Sequence, residues 1–125
     1  DNTVKAVNAT LRGYDCVLTP DFSLYMDMPD PMQQWNRYRS VALGRYWAEN
    51  GLAVIPTLSW AQPSNYRFCF KGISKHSTVA TSTVGVARDK DAQEVWYDGM
   101  REAMKRLEPS LGAAFLLPIR DETCR

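Results

Sequence analysis

Small polar side chains follow three apolar stretches of this sequence, at the point where each stretch ends. A binding site for a small molecule needs a few such polar groups set against apolar walls. The pattern therefore predicts a site for a small polar ligand, provided that the three stretches end at one place. With one arginine from the following helix added, the residues predicted to bind the ligand are Ser23, Arg39, Ser59, Trp60, Ser82 and Thr83.

Two carboxylates, Asp21 and Asp27, stand on one predicted loop directly after the first apolar stretch. Such a pair could act as acid and base, or could bind a hard cation such as Mg²⁺. The structural alternative is that Asp21 caps a turn and that Asp27 accepts hydrogen bonds from backbone N–H groups. We predict both as catalytic residues and assign no metal to them.

The other predicted site residues also have structural interpretations. The indole of Trp60 could stack on a sugar, a base or a cation, or it could fill the core. The hydroxyls of Ser82 and Thr83 could bind phosphate or a substrate hydroxyl, or they could bond to neighbouring backbone groups. Arg39 could reach an acidic ligand, or it could hold the loop by pairing with one of the two carboxylates.

Several catalytic motifs are missing. The sequence has no P-loop, no G-x-G-x-x-G and no G-x-S-x-G, and its one histidine, His76, stands in a turn that is predicted to be exposed. A hydrolase or lyase therefore fits better than dinucleotide redox chemistry, and the cofactor stays open. The three cysteines are too far apart for a CxxC zinc site; we expect Cys16 and Cys69 to be buried and Cys124 to lie on a loose tail.

Charge is spread unevenly along the 125 residues, although the net charge is only +1. Residues 31–76 carry six basic groups against one acidic group, so this middle third would attract an anionic partner. Its basic and aromatic residues could bind a nucleic acid or a host protein without catalysis, which is our alternative function. No apolar run reaches the length of a membrane span, and the composition is typical of a soluble, cytoplasmic protein.

Hydrophobic spacing and turn residues predict four strands and three main helices. The strands are predicted at 15–19, 52–58, 78–86 and 113–117, and the helices at 3–12, 31–50 and 91–107, with a single turn at 68–70. This order predicts one α/β domain over residues 1–125, with a mostly parallel four-stranded sheet and flanking helices. The sheet would be an open three-layer structure or half of a (β/α) barrel. In both, the site lies at the carboxyl ends of the strands, and exposed sheet edges would favour a homo-oligomer.

The helix at 31–50 is the clearest element. Asp30 is a good N-cap residue, and Asn50 followed by Gly51 is typical of a helix end. An apolar stripe, of the kind that packs on a core, is formed by Met32, Trp35, Tyr38, Ala42 and Tyr46.

Several longer motifs carry a resemblance to a known family. They are the segments DCVLTPDFSLYMDMP (15–29), YRS (38–40), VIPTLSW (54–60), FCF (68–70), STVGV (82–86) and LEPS (107–110). Over about residues 15–110 the chain resembles a family of phages, plasmids and bacterial genomes called domain of unknown function 4417. The resemblance implies no particular activity, substrate or cofactor. It adds weight to the residues that fall inside these motifs, namely Asp21, Arg39, Ser59, Trp60 and Ser82.

The same resemblance implies that this chain is a partial version of a longer domain, because family members have further strands ahead of the matching region. Two positions depart from the family pattern. Lys71 stands where the family often has Asp, and His76 stands where it often has Gly. A site that those further strands complete would be absent from this chain.

Overall fold

The computed structural model of the chain describes residues 2–83, 86 and 89–109, together with the backbone of residues 114–117. In this part of the chain the helices are α1 (Asn2–Leu11), α2 (Asp30–Glu49), α3 (Tyr66–Cys69) and α4 (Lys90–Leu107), with a 3₁₀ turn at Pro63–Asn65 before α3. The strands are β1 (Val17–Leu18), β2 (Val54–Ile55), β3 (Thr57–Leu58), β4 (Val79–Ser82) and β5 (Ala114–Leu117). The predicted mixed α/β class is confirmed.

The described strands pair in parallel, as the continuous hydrophobicity of residues 52–58 predicts. Strand β1 pairs with β2, β3 pairs with β4, and β4 pairs with β5. Only Pro56 separates β2 from β3, and the two strands run in the same direction. Because β1 is parallel to β2 and β4 is parallel to β3, the carboxyl ends of β1, β3 and β4 face the same way. This shared direction positions the candidate site.

The prediction of a single four-stranded sheet is wrong, and neither a half-barrel nor an open three-layer sheet is formed by the described residues. The strands make a two-stranded sheet, β1-β2, and a three-stranded sheet, β3-β4-β5. The break falls at Pro56, which has no N–H for a ladder, and there the chain changes its partner from β1 to β4. The Pro56 carbonyl accepts from the Ala80 N–H at 2.9 Å, and the Thr57 N–H donates to the Thr19 hydroxyl at 2.8 Å.

Helix α2 turns polar residues toward the protein and aromatic residues toward solvent. Its buried residues are Gln33, Arg37, Ser40 and Gly44. The apolar stripe predicted from its sequence is therefore not its buried face: Trp35 is 57% exposed and Tyr38 is 61% exposed. A Cβ at Gly44 would lie 2.6 Å from Cγ2 of Thr19, so α2 approaches β1 more closely than any larger residue would allow.

The end of α2 is as the sequence predicts, but its start is not. Pro29 is the N-cap, and no side chain caps the helix. Asp30 lies in the first turn instead, where its carboxylate accepts from Arg67 at 2.7 Å and so ties α2 to α3. At the other end Gly51, with φ of 83°, ends the helix in the left-handed conformation that glycine favours.

The apolar core lies between β3, β4, α3 and α4. Its buried residues are Leu24, Leu58, Trp60, Ala61, Cys69, Phe70, Val79, Ala103 and Leu107. The predicted turn at 68–70 overlaps the end of α3. Cys69 is buried as predicted, but Cys16 is exposed, and Cys124 falls outside the described residues. Within the described part of the chain, no helix combines the length and the hydropathy that crossing a membrane would need.

Candidate functional site

The carboxyl ends of β1, β3 and β4 border a cleft of about 780 Å³. Most of the residues that the sequence singles out lie in its wall. They are Asp21, Ser23, Ser59, Trp60 and Ser82. The parallel direction of the strands brings these residues together, although they come from distant parts of the chain.

The loop that carries Asp21 and Ser23 is held by the polar face of α2. The side-chain amide of Gln33 donates to the carbonyls of Tyr25 at 3.0 Å and Met28 at 2.8 Å. The amide of Asn36 donates to the Ser23 carbonyl at 3.0 Å. Irregular backbone close to the core needs such partners, because unpaired carbonyls are costly to bury. The inward polar residues of α2 thus give the loop its shape.

Asp21 and Ser59 line the cleft together and are joined by a side-chain hydrogen bond. Desolvation by burial raises the pKa of the Asp21 carboxyl, and the hydrogen bond from Ser59 opposes that shift without cancelling it. Asp21 as a residue remains exposed, so its carboxyl is only partly shielded from water. A carboxyl with a raised pKa can exchange a proton closer to neutral pH than an ordinary aspartate can.

Trp60 belongs to the core as well as to the cleft wall. It is only 8% exposed, and its indole N–H donates to the Val95 carbonyl at 3.0 Å. A Cβ at Gly99 would lie 2.0 Å from the indole nitrogen, so the ring lies directly against the backbone of α4. The structural interpretation of Trp60 therefore accounts for most of its contacts, and only an edge of the side chain is left for a ligand.

Ser82 and Thr83 occupy different positions at the end of β4. Ser82 lines the cleft, and its carbonyl accepts from the indole N–H of Trp96 at 3.0 Å. Thr83 is half-buried and does not line the cleft; its carbonyl accepts from the Val86 N–H at 3.1 Å.

The structure does not bring Asp27 or Arg39 into the cleft. Asp27 is exposed in a tight turn. The guanidinium of Arg39 donates to the Asn36 side chain at 2.6 Å and stacks over the Phe22 ring at 3.9 Å. Within the described part of the chain, no ion pair joins Arg39 to Asp21 or Asp27. Arg39 supports the back of the loop that carries Asp21.

Sequence reasoning missed part of the cleft wall, namely Thr81, Asp89, Asp91 and Trp96. Asp89 is the N-cap of α4; its carboxylate accepts from the N–H groups of Asp91 at 2.9 Å and Ala92 at 3.3 Å. The first turn of a helix that follows a parallel strand lies at that strand's carboxyl end. An aspartate at this helix start was therefore the available signal.

Among the residues that the structure describes, no three histidine, cysteine, aspartate or glutamate side chains are grouped so that they could hold a metal ion. The chemistry that the described side chains can supply is proton exchange at Asp21 and hydrogen bonding by hydroxyls.

Comparison with known proteins finds similarity to one family and to phage proteins. The sequence pattern of a family described as "Domain of unknown function (DUF4417)" matches residues 3–122. The chain is 48% identical over 98 residues to the "Gene 1 protein" of Mycobacterium phage L5, covering 78% of this chain and 43% of that protein. It is 44% identical over 105 residues to the "Gene 1 protein" of Mycobacterium phage D29, covering 84% of this chain and 39% of that protein. No solved structure matches the chain.

Proposed function

This chain belongs to the DUF4417 family, and we propose that its cleft binds a small, neutral ligand rich in hydroxyl groups, such as a sugar or a nucleoside. The chain spans less than half the length of the curated relatives it matches, so the proposal concerns this domain alone. One observation carries it: Asp21, Ser59 and Ser82 line the same cleft, at the carboxyl ends of three parallel strands.

The size and the walls of the cleft support a ligand of this class. A volume of about 780 Å³ is typical of small-molecule sites. Aromatic side chains, Tyr25 and Trp96, line it beside the hydroxyl-bearing residues and could pack against a sugar ring or a base. A ligand with both a flat apolar face and several hydroxyls would use both kinds of wall.

The charge of the cleft favours a neutral ligand over a phosphate compound. Three carboxylates line it, those of Asp21, Asp89 and Asp91. No lysine, arginine or histidine among the described residues lines it with them. The capping hydrogen bonds of Asp89 and the start of α4 offset part of this negative charge, but they leave no cationic side chain to pair with phosphate.

Asp21 is the residue that we propose for chemistry, as the acid or base of a hydrolase or lyase. Its raised pKa suits proton donation to a leaving oxygen or proton removal from an attacking water. The hydrogen bond from Ser59 would fix the direction of the carboxyl. Ser23 and Ser82 would bind ligand hydroxyls nearby.

The proposal can be tested by ligand-observed NMR with adenosine, uridine and glucose, each nucleoside being paired with its 5′-monophosphate. We expect saturation transfer to at least one nucleoside or sugar, and weaker transfer to the matching monophosphate. Asp21→Asn should weaken the binding about tenfold or more while the protein stays folded, because it removes a charged acceptor from the wall.

Asp27→Asn is the matched control, since Asp27 is an exposed aspartate of the same loop outside the cleft. It should leave binding unchanged. Equal binding by the Asp21 and Asp27 variants would refute the assigned role of Asp21. Preferential binding of the monophosphates would refute the proposed ligand class.

A second candidate function is the binding of single-stranded nucleic acid, favoured by the exposed pair Trp35 and Tyr38. Their rings stack with centroids 5.5 Å apart on the outer face of α2, and bases stack on such rings. Several of the basic residues nearby are already engaged. Arg37 is buried, and Arg45 and Arg67 pair with acidic side chains at 2.9 Å and 2.7 Å.

Titration of oligothymidylate in rising NaCl separates this candidate from the first. Binding by the outer face of α2 should weaken steeply with salt and should disappear when Trp35 and Tyr38 are both replaced by alanine. Equal affinity of the wild type and the double variant for oligothymidylate would exclude this surface. A homo-oligomer through exposed sheet edges stays a prediction, for which sedimentation of the wild type at rising concentration is the measurement.

A further inference from the structure

A second, much smaller chamber lies next to the cleft, where α2 meets β3 and the loop that carries Asp21. Its volume of about 10 Å³ is close to the space that one water-sized group needs. Its polar lining consists of Asp21, Asn36, Arg37, Ser40, Thr57 and Ser59. Asp21 and Ser59 also line the large cleft, so the chamber adjoins the site already described.

Two hydrogen-bond donors at this chamber have no partner among the described residues. Arg37 is 9% exposed and Ser40 is 5% exposed, yet Nε of Arg37 and Oγ of Ser40 are buried without a hydrogen bond. The other end of the guanidinium is engaged, because Nη2 of Arg37 donates to the Lys71 carbonyl at 3.1 Å. Unpaired buried donors of this kind are costly, above all on a charged group.

The charge around Arg37 makes the missing partner an acceptor. Within the described residues no carboxylate forms an ion pair with Arg37, and the nearby thiol of Cys69 is neutral because burial raises its pKa to about 12. A guanidinium keeps its proton in proteins, so it donates and cannot accept. A cation would be repelled, and an apolar group would leave both donors unsatisfied.

We propose that this chamber is a subsite for a single oxygen atom, which accepts hydrogen bonds from Nε of Arg37 and Oγ of Ser40 beside Asp21. The oxygen comes from one of two sources. It belongs to a water molecule that stays in the chamber, or to a hydroxyl or carbonyl of the ligand bound in the cleft. The second source rests on the proposed function, whereas the first does not.

The position of the subsite gives it a consequence for Asp21. A water in the chamber would accept from Arg37 and still have two protons to donate, so it could relay hydrogen bonding toward the Asp21 carboxyl. Removing it should disfavour the ionised carboxyl. Arg37 and Ser40 would then be positioning residues that act on Asp21 through the bound oxygen.

The first experiment is a crystal structure of the protein at a resolution that defines water, without ligand and after soaking with adenosine. We expect an oxygen within hydrogen-bond distance of both Nε of Arg37 and Oγ of Ser40. If the same water persists after soaking, the source is solvent; if adenosine supplies the atom, the source is the ligand. Direct protein partners for both donors, with no oxygen between them, would overturn the proposal.

The second experiment uses Ser40→Ala, with Ser64→Ala as the control, because Ser64 is exposed and away from the chamber. Carbon-13 NMR of the Asp21 carboxyl gives its titration midpoint without any ligand. We expect Ser40→Ala to raise that midpoint by about 0.5 pH unit or more, and Ser64→Ala to leave it unchanged. Equal midpoints in wild type and Ser40→Ala would overturn the coupling to Asp21.

Arg37→Lys provides a further variant that keeps the charge but moves the donor, and it should also raise the Asp21 midpoint. Adenosine binding is measured on the same samples. If the wild type binds none of adenosine, uridine and glucose but the oxygen is present in the chamber, the proposed function is refuted and this inference stands. If adenosine binds in the cleft but no oxygen is found in the chamber, this inference is refuted and the proposed function stands.

Discussion

Among single residues, Asp21 shows how a candidate site side chain can act against stability. Its carboxyl gains one hydrogen bond from Ser59 but loses water on folding, and the loss is larger, so the pKa is raised. A carboxyl placed only for stability would show the opposite balance, with more hydrogen bonds to its ionised form. The sequence predicted Asp21 as a candidate from its place after a strand, but the direction of its pKa shift depends on packing that spacing does not reveal.

The raised pKa of Asp21 predicts how stability changes with pH. The folded protein binds the Asp21 proton more tightly than the unfolded chain does, so between the two pKa values stability falls as pH rises. Above that interval the ionised carboxyl opposes folding. We therefore expect Asp21→Asn to melt at a temperature equal to or above that of the wild type at about pH 7, with a smaller advantage or none near pH 4.

Thermal unfolding followed from about pH 4 to pH 7 measures this effect. Asp27→Asn should follow the wild-type curve, because Asp27 is exposed. A clear loss of stability of Asp21→Asn at neutral pH would mean that Asp21 serves the fold and would weaken its assignment as an acid or base.

The cysteines provide a second test at the residue level. Cys69 is fully buried and burial raises its pKa to about 12, whereas Cys16 is exposed. Iodoacetamide at about pH 8 should therefore label Cys16 in the folded protein and Cys69 only after denaturation, since the thiolate is the reactive form. Mass spectrometry of separated peptides distinguishes the two sites. Labelling of both at similar rates would contradict the burial of Cys69.

At the level of elements, the order and approximate extent of the three main helices were predictable, but their capping residues and the orientation of α2 were not. Capping residues and apolar runs mark where a helix or a strand lies. The rule that an apolar stripe faces the core fails for α2, because side chains on its inner face donate hydrogen bonds to backbone carbonyls of a loop. Gln33 and Asn36 have partners that only the folded loop provides. The start of α4 was also misplaced by sequence, since Asp89 caps it.

A matched pair of substitutions tests the role of the α2 inner face. Gln33 is fully buried and bonds two loop carbonyls, whereas its neighbour Gln34 is exposed and bonds only Asp30. Gln33→Leu should lower the free energy of unfolding by about 1–3 kcal/mol, because the Met28 carbonyl loses its donor and the Tyr25 carbonyl keeps only the Met28 N–H. Gln34→Leu should change it by less than about 0.5 kcal/mol.

Urea unfolding measures both values, and amide hydrogen exchange over residues 20–29 locates the effect. We expect faster exchange in this loop for Gln33→Leu alone. Similar costs for the two substitutions would show that the loop is held by other contacts.

For the whole molecule, parallel pairing and the gathering of strand ends followed from sequence, while the division into two sheets did not. Alternating helices and continuous apolar runs predict a parallel arrangement, and parallel strands bring their carboxyl ends to one side. Pro56 lies within the predicted strand 52–58 and has no N–H for a ladder, yet its position alone does not say that the strand changes partner there. The change of partner depends on the positions of β1 and β4 in the folded protein, which the spacing of residues does not give.

Trp60 is buried in the core and Trp35 is exposed on α2, so replacing each by alanine should lower the free energy of unfolding by different amounts. Trp60→Ala should lower the free energy of unfolding by about 3–5 kcal/mol, because it empties space in the core. Trp35→Ala should change it by less than about 0.5 kcal/mol, because the side chain is 57% exposed and stacks only on Tyr38. Urea unfolding compares them, and a large cost for Trp35→Ala would mean that the outer face of α2 is packed in solution.

The hydroxyl of Thr19 has a structural importance out of proportion to its size. Where the chain leaves one sheet for the other, the Thr57 amide has no ladder neighbour and bonds this hydroxyl instead. One methyl-for-hydroxyl exchange, Thr19→Val, would keep the shape of the side chain and cut this link. The Thr57 amide would then be left without its acceptor at the seam between the two sheets, which should open more readily there.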